Sequence, residues 1–289
     1  MTELPTRTLG RTGLQVTQLG YGAMELRGAP RGRVISDEQA ETVLKAVVDA
    51  GINYIDTSID YGLSEDRIGR FIGARRAEFF LASKCGCAVV DPTAAPSEGR
   101  SPHVFTRENV VAGVEQSLKR LRTDYLDVVQ FHASPSRATL EEEGALDALL
   151  DLQRQGKVRF IGMSGNLPNL PEQISMGVFD VFQIPYSAVQ PEHEELISAA
   201  AATGAGTVIR GGAAKGAWSG SELDSLLDGA SRTEFILRYT LSHPDLHTTI
   251  VGTADPAHLA ANLAAARKGP LPPDVYAAAK RRLASAPTG

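Results

Sequence analysis

The regular alternation of short apolar runs with helical patterns restricts the fold of this chain more than any other feature. The runs are continuously apolar rather than alternating, which is typical of parallel strands buried on both faces. Each is followed by a stretch with helical spacing, so the sequence predicts eight β-α units. The eight predicted strands cover 18–21, 53–55, 79–82, 126–131, 157–162, 180–183, 206–209 and 248–251.

The number of units distinguishes two α/β architectures. A doubly wound sheet also alternates strands with helices, but the first strand-to-helix turn lacks the Gly-x-Gly-x-x-Gly pattern of a dinucleotide-binding sheet. Eight units in 289 residues predict a (β/α)8 TIM barrel, a fold that commonly forms one domain of ~250 residues. We therefore expect a single domain over residues 1–289, preceded by a hairpin with its turn at Gly10–Gly13.

The helix boundaries follow from capping residues. Ser36 and Thr106 each precede a helical pattern and are good N-caps, and Gly51 ends the first helix. After Pro273 we expect only a short tail with few large side chains, which predicts an open pocket. The other predicted helices cover 64–73, 106–121, 139–154, 169–176, 191–202, 231–242 and 256–267.

Composition excludes several classes of protein. The chain is 43% hydrophobic and 22% charged, with a formal net charge of −5, so we expect neither a nucleic-acid partner nor an anionic membrane partner. The first ten residues lack the pattern of a signal peptide, and no long uncharged apolar window predicts a membrane span. Two cysteines are too few to stabilise a chain of this length by disulfide bonds, which predicts a reducing, cytoplasmic location.

Four polar residues at or just after the ends of three successive strands form a candidate active site. They are Asp56, Tyr61, Lys84 and His132, and in a barrel the C-terminal strand ends meet at one rim. Lys84 beside Asp56 would stay charged, and a cation near Tyr61 would lower the pKa of the phenol. His132 could donate a hydrogen bond to a carbonyl oxygen. The set is suited to proton delivery to a carbonyl group.

Each of these residues also has a structural interpretation. Asp56 and Lys84 could form an ion pair that only supports the barrel, Tyr61 could be a packing aromatic, and His132 a core histidine. Cys85 and Cys87 form a Cys-x-Cys pair directly after Lys84, but no two further ligands stand at matching spacing. We therefore predict no metal site, and reduced thiols that line the pocket.

The chain resembles the aldo-keto reductase family along essentially its whole length. The matching segments are 53–62 around Asp56 and Tyr61, 81–84 ending at Lys84, 124–132 ending at His132, 156–164, and 250–253 running on to Asn262. The resemblance implies a hairpin that closes the barrel bottom and NAD(P)H-dependent reduction of aldehydes and ketones. It also implies that Tyr61 is the general acid, that Lys84 paired with Asp56 assists it, and that His132 positions the carbonyl. Asp60, next to Tyr61, is not at the family's position for the lysine partner.

The resemblance also implies the cofactor contacts. Ser164 and Gln183 match the side chains that bind the nicotinamide carboxamide, and Asn166 stands one place beyond the usual asparagine. In place of the usual stacking tyrosine the chain has Arg210, whose planar guanidinium could lie on the ring. Other expected contacts are Gly22, Ala23 and Met24 after the first barrel strand, and the glycine-rich Gly211, Gly212, Lys215 and Gly216 near the pyrophosphate.

The segment after the last strand departs most from the family. Gly252, Thr253, His258 and Asn262 are expected to lie at the adenosine, but two of the cations that commonly hold a 2′-phosphate are missing. His258, Arg267 or Lys268 could replace them. NADP is the predicted cofactor, with NADH as the alternative.

The predicted protein is thus a monomeric reductase with a small-molecule carbonyl substrate. A Schiff-base aldolase using Lys84 is one alternative, although it requires a lysine of depressed pKa and Asp56 would raise that pKa. A non-catalytic subunit that binds nucleotide is the other.

Overall fold

Eight parallel strands close into a barrel in this computed structural model, which describes residues 3–89, 101–213 and 223–285. Each strand pairs with the next along the chain, and the last pairs back with the first, which confirms the (β/α)8 prediction. The barrel strands are β3 (Leu19–Gly22), β4 (Tyr54–Asp56), β5 (Phe80–Cys85), β6 (Leu126–Phe131), β7 (Val158–Ser164), β8 (Val181–Pro185), β9 (Gly206–Arg210) and β10 (Thr248–Val251).

The predicted N-terminal hairpin is present and covers one end of the barrel. Its strands, β1 (Thr6–Thr8) and β2 (Gln15–Thr17), are antiparallel, and Leu9 and Val16 pack among side chains from the barrel strands. At the turn, Gly10 has φ +48°, and a Cβ there would lie 2.3 Å from the backbone nitrogen of Gly206. Only glycine allows the hairpin to lie this close to β9.

Several strands extend further towards their C-terminal ends than their apolar runs predict. Lys84 lies within β5, Ser164 within β7 and Arg210 within β9, each beyond the predicted end of its strand, and β8 continues two residues past Gln183. The reason is the register of the closed sheet, which pairs Lys84 with Gln130 and Ser164 with Gln183. Backbone pairing therefore fixes these side chains more firmly than loops would.

Ten α-helices surround the barrel within the described part of the chain. The predicted N-caps Ser36 and Thr106 accept hydrogen bonds from the backbone of Gln39 and Asn109. The helices are α1 (Asp37–Asp49), α2 (Ser64–Phe71), α3 (Arg107–Leu121), α4 (Arg137–Glu142), α5 (Ala145–Arg154), α6 (Leu170–Ser175), α7 (Glu194–Ala202), α8 (Arg232–Leu241), α9 (Pro256–Lys268) and α10 (Pro273–Ser285). None of the described helices has the length and apolar character that crossing a membrane requires.

Two helix predictions were wrong. The single helix expected over 139–154 is two helices, because Gly144 adopts φ +70° and breaks it. The short tail expected after Pro273 is helix α10, which packs Tyr276 edge-on against Tyr239, with ring centroids 4.9 Å apart. The alanine-rich sequence 277–279 there has high intrinsic helix propensity, which is the signal that identifies this helix.

Candidate active site

A buried ion pair between β4 and β5 forms the floor of the candidate site. Lys84 Nζ lies 2.6 Å from Asp56 Oδ2, with the two side chains only 1% and 2% exposed. The ammonium also donates a hydrogen bond to the carbonyl oxygen of Thr57 at 2.7 Å. Because these residues are on adjacent paired strands, the barrel itself sets their distance.

Two glutamines complete the hydrogen bonding of Asp56. Its Oδ1 accepts one bond from Gln130 Nε2 at 3.0 Å and another from Gln183 Nε2 at 2.7 Å. Gln130 is not among the residues predicted from the sequence. It lies on β6, two residues before His132, which directly follows that strand. The period-two alternation of a strand predicts that both side chains lie on the same face.

Tyr61 lies above this pair, in the loop that follows β4. Its ring centroid is 4.9 Å from Lys84 Nζ and 6.2 Å from the ring centroid of His132, which meets it edge-on. Tyr61 is half-buried, so part of the ring remains accessible. Neighbouring Asp60 instead makes a two-pronged ion pair with Arg31, at 2.7 Å for each hydrogen bond. All four predicted residues therefore converge at one rim.

Burial and charge set the protonation states around Tyr61. Burial lowers the pKa of Lys84, but the Asp56 carboxylate and Tyr61 outweigh it, so the pKa lies above its ordinary value. Burial, together with the charge of Lys84 and the proximity of His103, lowers the pKa of His132 to about 3. At neutral pH the site thus contains a charged lysine and a neutral histidine.

The second of the two cysteines contacts His132. Cys87 Sγ lies 3.0 Å from His132 Nδ1, and burial raises the pKa of the Cys87 thiol to about 12. Cys85 does not line the pocket as predicted; it is fully buried in the core between barrel and helices. The structure also brings His103 next to Cys87 and His132, a grouping that sequence spacing could not reveal.

Arg210, at the end of β9, is a half-buried cation that forms no ion pair with a carboxylate among the described residues. Its Nε is buried and has no hydrogen-bond partner, and burial lowers the pKa of the guanidinium. Gly211 follows with φ +76°, and Gly212 is packed so closely that a Cβ would lie 2.3 Å from Thr249 Oγ1. Lys215 and Gly216 lie outside the described residues.

The three residues predicted to bind a carboxamide lie on β7, on β8 and in the loop after β7. Ser164 Oγ donates to Gln183 Oε1 at 3.3 Å, so these two side chains meet. The backbone N–H of Asn166 donates to Ser134 Oγ at 3.1 Å, which ties its loop to the loop after β6. Ser134 and the preceding Ala133 have φ values of +54° and +64°, a strained turn directly after His132.

The residues expected at the adenosine lie around the ends of β3 and β10. Gly22 and Gly252 approach so closely that a Cβ on Gly252 would lie 2.5 Å from the Gly22 carbonyl oxygen. Thr253 and Asn262 are buried, whereas His258 is 73% exposed and its Nδ1 lies 3.9 Å from Asp255 Oδ2. The other predicted contacts here, Ala23 and Met24, form the turn that follows β3.

Arg267 and Lys268 lie further along α9. They end this helix, about 14 Å or more along it from His258 at 1.5 Å per residue. Lys268 instead pairs with Glu234 at 2.8 Å. The distance from His258 and the pair with Glu234 thus argue against Lys268 as the compensating cation, and compensation by Arg267 stays a prediction.

Comparison with known proteins identifies the family of this chain. Residues 18–228 match the model of the aldo/keto reductase family. The chain belongs to the aldo/keto reductase family, a family of oxidoreductases.

Individual relatives extend the similarity. The chain is 36% identical to L-galactose dehydrogenase from Arabidopsis thaliana over 62% of its own length and 53% of the relative's. It is 27% identical to the uncharacterized oxidoreductase YqkF from Bacillus subtilis over 90% of both chains. The solved structure of the aldo-keto reductase AKR11C1 from Bacillus halodurans, in its holo form, matches with a TM-score of 0.85 and 25% identity, covering 97% of this chain and 96% of the other.

Proposed function

We propose that this protein is a reductase that uses NAD(P)H to reduce aldehydes and ketones, with Tyr61 as the proton donor. The observation that carries the proposal is the contact between the buried Lys84–Asp56 pair and Tyr61, with His132 edge-on at the same rim. A buried charged group beside a proton donor is suited to stabilising the negative charge left by proton transfer.

The chain's own residues have separate tasks in this reaction. The Tyr61 hydroxyl donates its proton to the carbonyl oxygen, and the Lys84 ammonium stabilises the phenolate that remains. Asp56 keeps Lys84 charged and in place, and the two glutamines Gln130 and Gln183 hold Asp56. This division makes Asp56 a positioning residue and Tyr61 the catalytic acid.

His132 orients the substrate in this proposal. The protonated Cys87 thiol donates to Nδ1, because imidazole nitrogen is a stronger acceptor than thiol sulfur. The ring proton then lies on Nε2, which donates to the carbonyl oxygen. A neutral histidine serves this role over the whole neutral range of pH.

The residues around Arg210 fit a nicotinamide dinucleotide. A buried guanidinium nitrogen without a partner is costly unless a ligand contacts it, and a planar guanidinium suits a ring or a phosphate. A bound nicotinamide supplies the hydride that the carbonyl carbon receives. In the proposal the carboxamide end is held by Ser164, Gln183 and Asn166. The middle of the cofactor lies along Arg210 to Gly212 and Gly22 to Met24. The adenosine lies at Gly252, Thr253, His258 and Asn262.

NADP remains the proposed form of the cofactor, although one charge opposes it. Asp255 is the N-cap of α9, beside His258, where a 2′-phosphate would be repelled. The side chain of His258 is mostly exposed and would have to supply the compensating charge.

The aldolase alternative receives no support from the site. A lysine that forms a Schiff base must lose its proton readily, whereas Asp56 raises the pKa of Lys84. The complete set of four residues likewise favours a catalytic role over a nucleotide-binding subunit.

The test is a panel of aldehydes and ketones with NADPH and NADH, followed through the nicotinamide absorbance. Relatives that are named L-galactose dehydrogenase and D-threo-aldose 1-dehydrogenase justify including aldoses, assayed also in the direction of oxidation. We expect carbonyl-dependent loss of the absorbance. Tight cofactor binding without any turnover would support a nucleotide-binding subunit, and borohydride trapping of a substrate on Lys84 would support an aldolase.

A further inference from the structure

We propose that Cys87, His103 and His132 form a binding site for Zn²⁺ at the edge of the active site, and that occupation of this site inhibits the enzyme. The inhibition rests on the proposed function, whereas metal binding does not. The sequence places Cys87 sixteen residues before His103 and His132 in a third segment, so only the fold brings the three together.

The three side chains already approach the geometry of a metal site. One ligand atom from each residue lies within 4.8 Å of the other two, and Cys87 Sγ is 3.0 Å from His132 Nδ1. The rings of His103 and His132 meet edge-on with centroids 5.5 Å apart. Cys87 is buried and His103 is exposed, so a cation can enter past the His103 side chain.

The backbone around these ligands is held by several hydrogen bonds. Cys87 and His103 form an antiparallel bridge, flanked by bonds from Ala88 N to Pro102 O and from Val104 N to Gly86 O. A bridge of this kind places the two side chains beside each other on one face.

Asn109 reinforces the bridge from α3. Its amide nitrogen donates to the carbonyl oxygens of Cys87 at 3.0 Å and Val104 at 2.8 Å, and its Oδ1 accepts from the backbone N–H of Val89. His132 is attached to the same region because its own N–H donates to Cys85 O at 3.0 Å. The ligands are thus held in place before any metal binds.

The ligand chemistry favours a cation of the zinc class. One thiolate and two imidazoles form a common zinc ligand set, with Zn–S near ~2.3 Å, Zn–N near ~2.0 Å and tetrahedral angles. Those values separate sulfur from nitrogen by about 3.5 Å, so the Cys87–His132 contact must widen slightly. Binding releases the thiol proton to solvent, since the thiolate is the ligand. The fourth position stays open to water or to a carbonyl oxygen.

Neighbouring charges limit the affinity without preventing binding. Lys84 is paired with Asp56, and Arg31 is paired with Asp60, so each cation has its own carboxylate. Arg210 also acts on His132 and opposes a further positive charge. Binding should slow carbonyl reduction, because it moves the ring that positions the substrate.

Direct metal binding tests the site. The purified protein is titrated with Zn²⁺ in competition with a chromophoric chelator, and with Co²⁺ to observe the thiolate-to-metal charge-transfer band. We expect one strong site in the unaltered chain, and affinity at least about 10-fold weaker in Cys87→Ser and in His103→Gln. Cys85→Ser and His247→Gln are matched controls. The Cys85 side chain lies in the core between barrel and helices, and His247 directly precedes β10, at the end of the barrel opposite the active site.

Activity is measured separately, each variant against its own metal-free rate. Zn²⁺ should lower kcat/KM reversibly in the unaltered protein, and a chelator should restore it, whereas His103→Gln should lose most of this response. Equal Zn²⁺ affinity in the unaltered protein and in His103→Gln, or no binding at all, overturns the proposal. If no carbonyl is reduced under any condition, the proposed function fails but the binding titration still decides the metal site. His103 is exposed, so its variant keeps the test available even if Cys87→Ser does not fold.

Discussion

Gln183 on β8 donates a hydrogen bond of 2.7 Å to Oδ1 of Asp56, the carboxylate whose other oxygen holds Lys84. Gln183 is also in contact with Ser164. The residues proposed to hold the nicotinamide carboxamide and those proposed to assist proton transfer therefore share one carboxylate. Substitutions among the residues proposed to hold the carboxamide should therefore change the hydrogen bonding of Asp56 and, through it, the position of Lys84.

Asp56→Asn should destabilise the protein strongly. It leaves the Lys84 ammonium buried without its counter-charge, which costs about 3–5 kcal/mol in the free energy of unfolding. Urea denaturation measures this loss. The double variant with Lys84→Met should recover much of it, because the uncompensated charge is then gone. Additive losses in the double variant would show that the two side chains are not coupled.

Glu65 on α2 should make stability depend on pH in an identifiable direction. Burial raises the pKa of Glu65 above its ordinary value, although bonds from Ser117, Ser83 and Arg120 oppose the shift. The folded protein then holds this proton more tightly than the unfolded chain. Its contribution to stability is greatest below the unfolded pKa of ~4.3 and is lost as pH rises through the raised folded value.

Glu65→Gln removes this titration. The free energy of unfolding of the variant, minus that of the unaltered protein, should therefore increase as pH rises from about 4 towards neutrality. Glu38→Gln, at an exposed position of α1, is the control. A difference that stays constant with pH, or decreases, contradicts the assignment.

Arg210→Met should have opposite effects on stability and on cofactor binding. Replacing this half-buried guanidinium, whose buried Nε has no hydrogen-bond partner, with an apolar chain should stabilise the cofactor-free protein by about 1–3 kcal/mol. The same change should weaken cofactor binding about 10-fold or more, since a charged hydrogen bond is lost. Thermal unfolding and fluorescence titration measure the two effects, with the exposed Arg154→Met as control. Unchanged affinity would exclude Arg210 from the cofactor site.

Asp255→Asn should shift the choice between the two cofactors. Asparagine also caps helices, so α9 should be retained while one negative charge near His258 is removed. We expect NADPH affinity to rise about 5-fold relative to NADH, equivalent to ~1 kcal/mol for an exposed charge. Titration with both cofactors checks this ratio. Equal changes for the two would show that Asp255 does not face a 2′-phosphate.

The barrel and its rim were predictable from the sequence because both depend on local patterns. Continuously apolar runs identify buried parallel strands, and the rule that strand ends meet at one rim brings Asp56, Lys84 and His132 together. Gln130 could have been predicted in the same way, because its spacing of two residues from His132 places both side chains on one face of the strand.

Other features depend on contacts that have no local signature. The approach of His103 to Cys87 requires a backbone bridge between two segments of a long loop. The break at Gly144 requires a positive φ that glycine permits but does not demand. The pairing of Lys268 with Glu234 depends on the packing of α8 against α9, which the sequence around Lys268 does not reveal.

Tyr61→Phe tests the central claim most directly, because it removes one hydroxyl and keeps the ring. The measurement is the rate of hydride transfer in a single turnover with saturating cofactor and substrate, alongside cofactor affinity and thermal stability. We predict a fall of about 100- to 10,000-fold in that rate, with cofactor affinity and stability essentially retained. A variant that transfers hydride at the unaltered rate would contradict the assignment of Tyr61 as the proton donor.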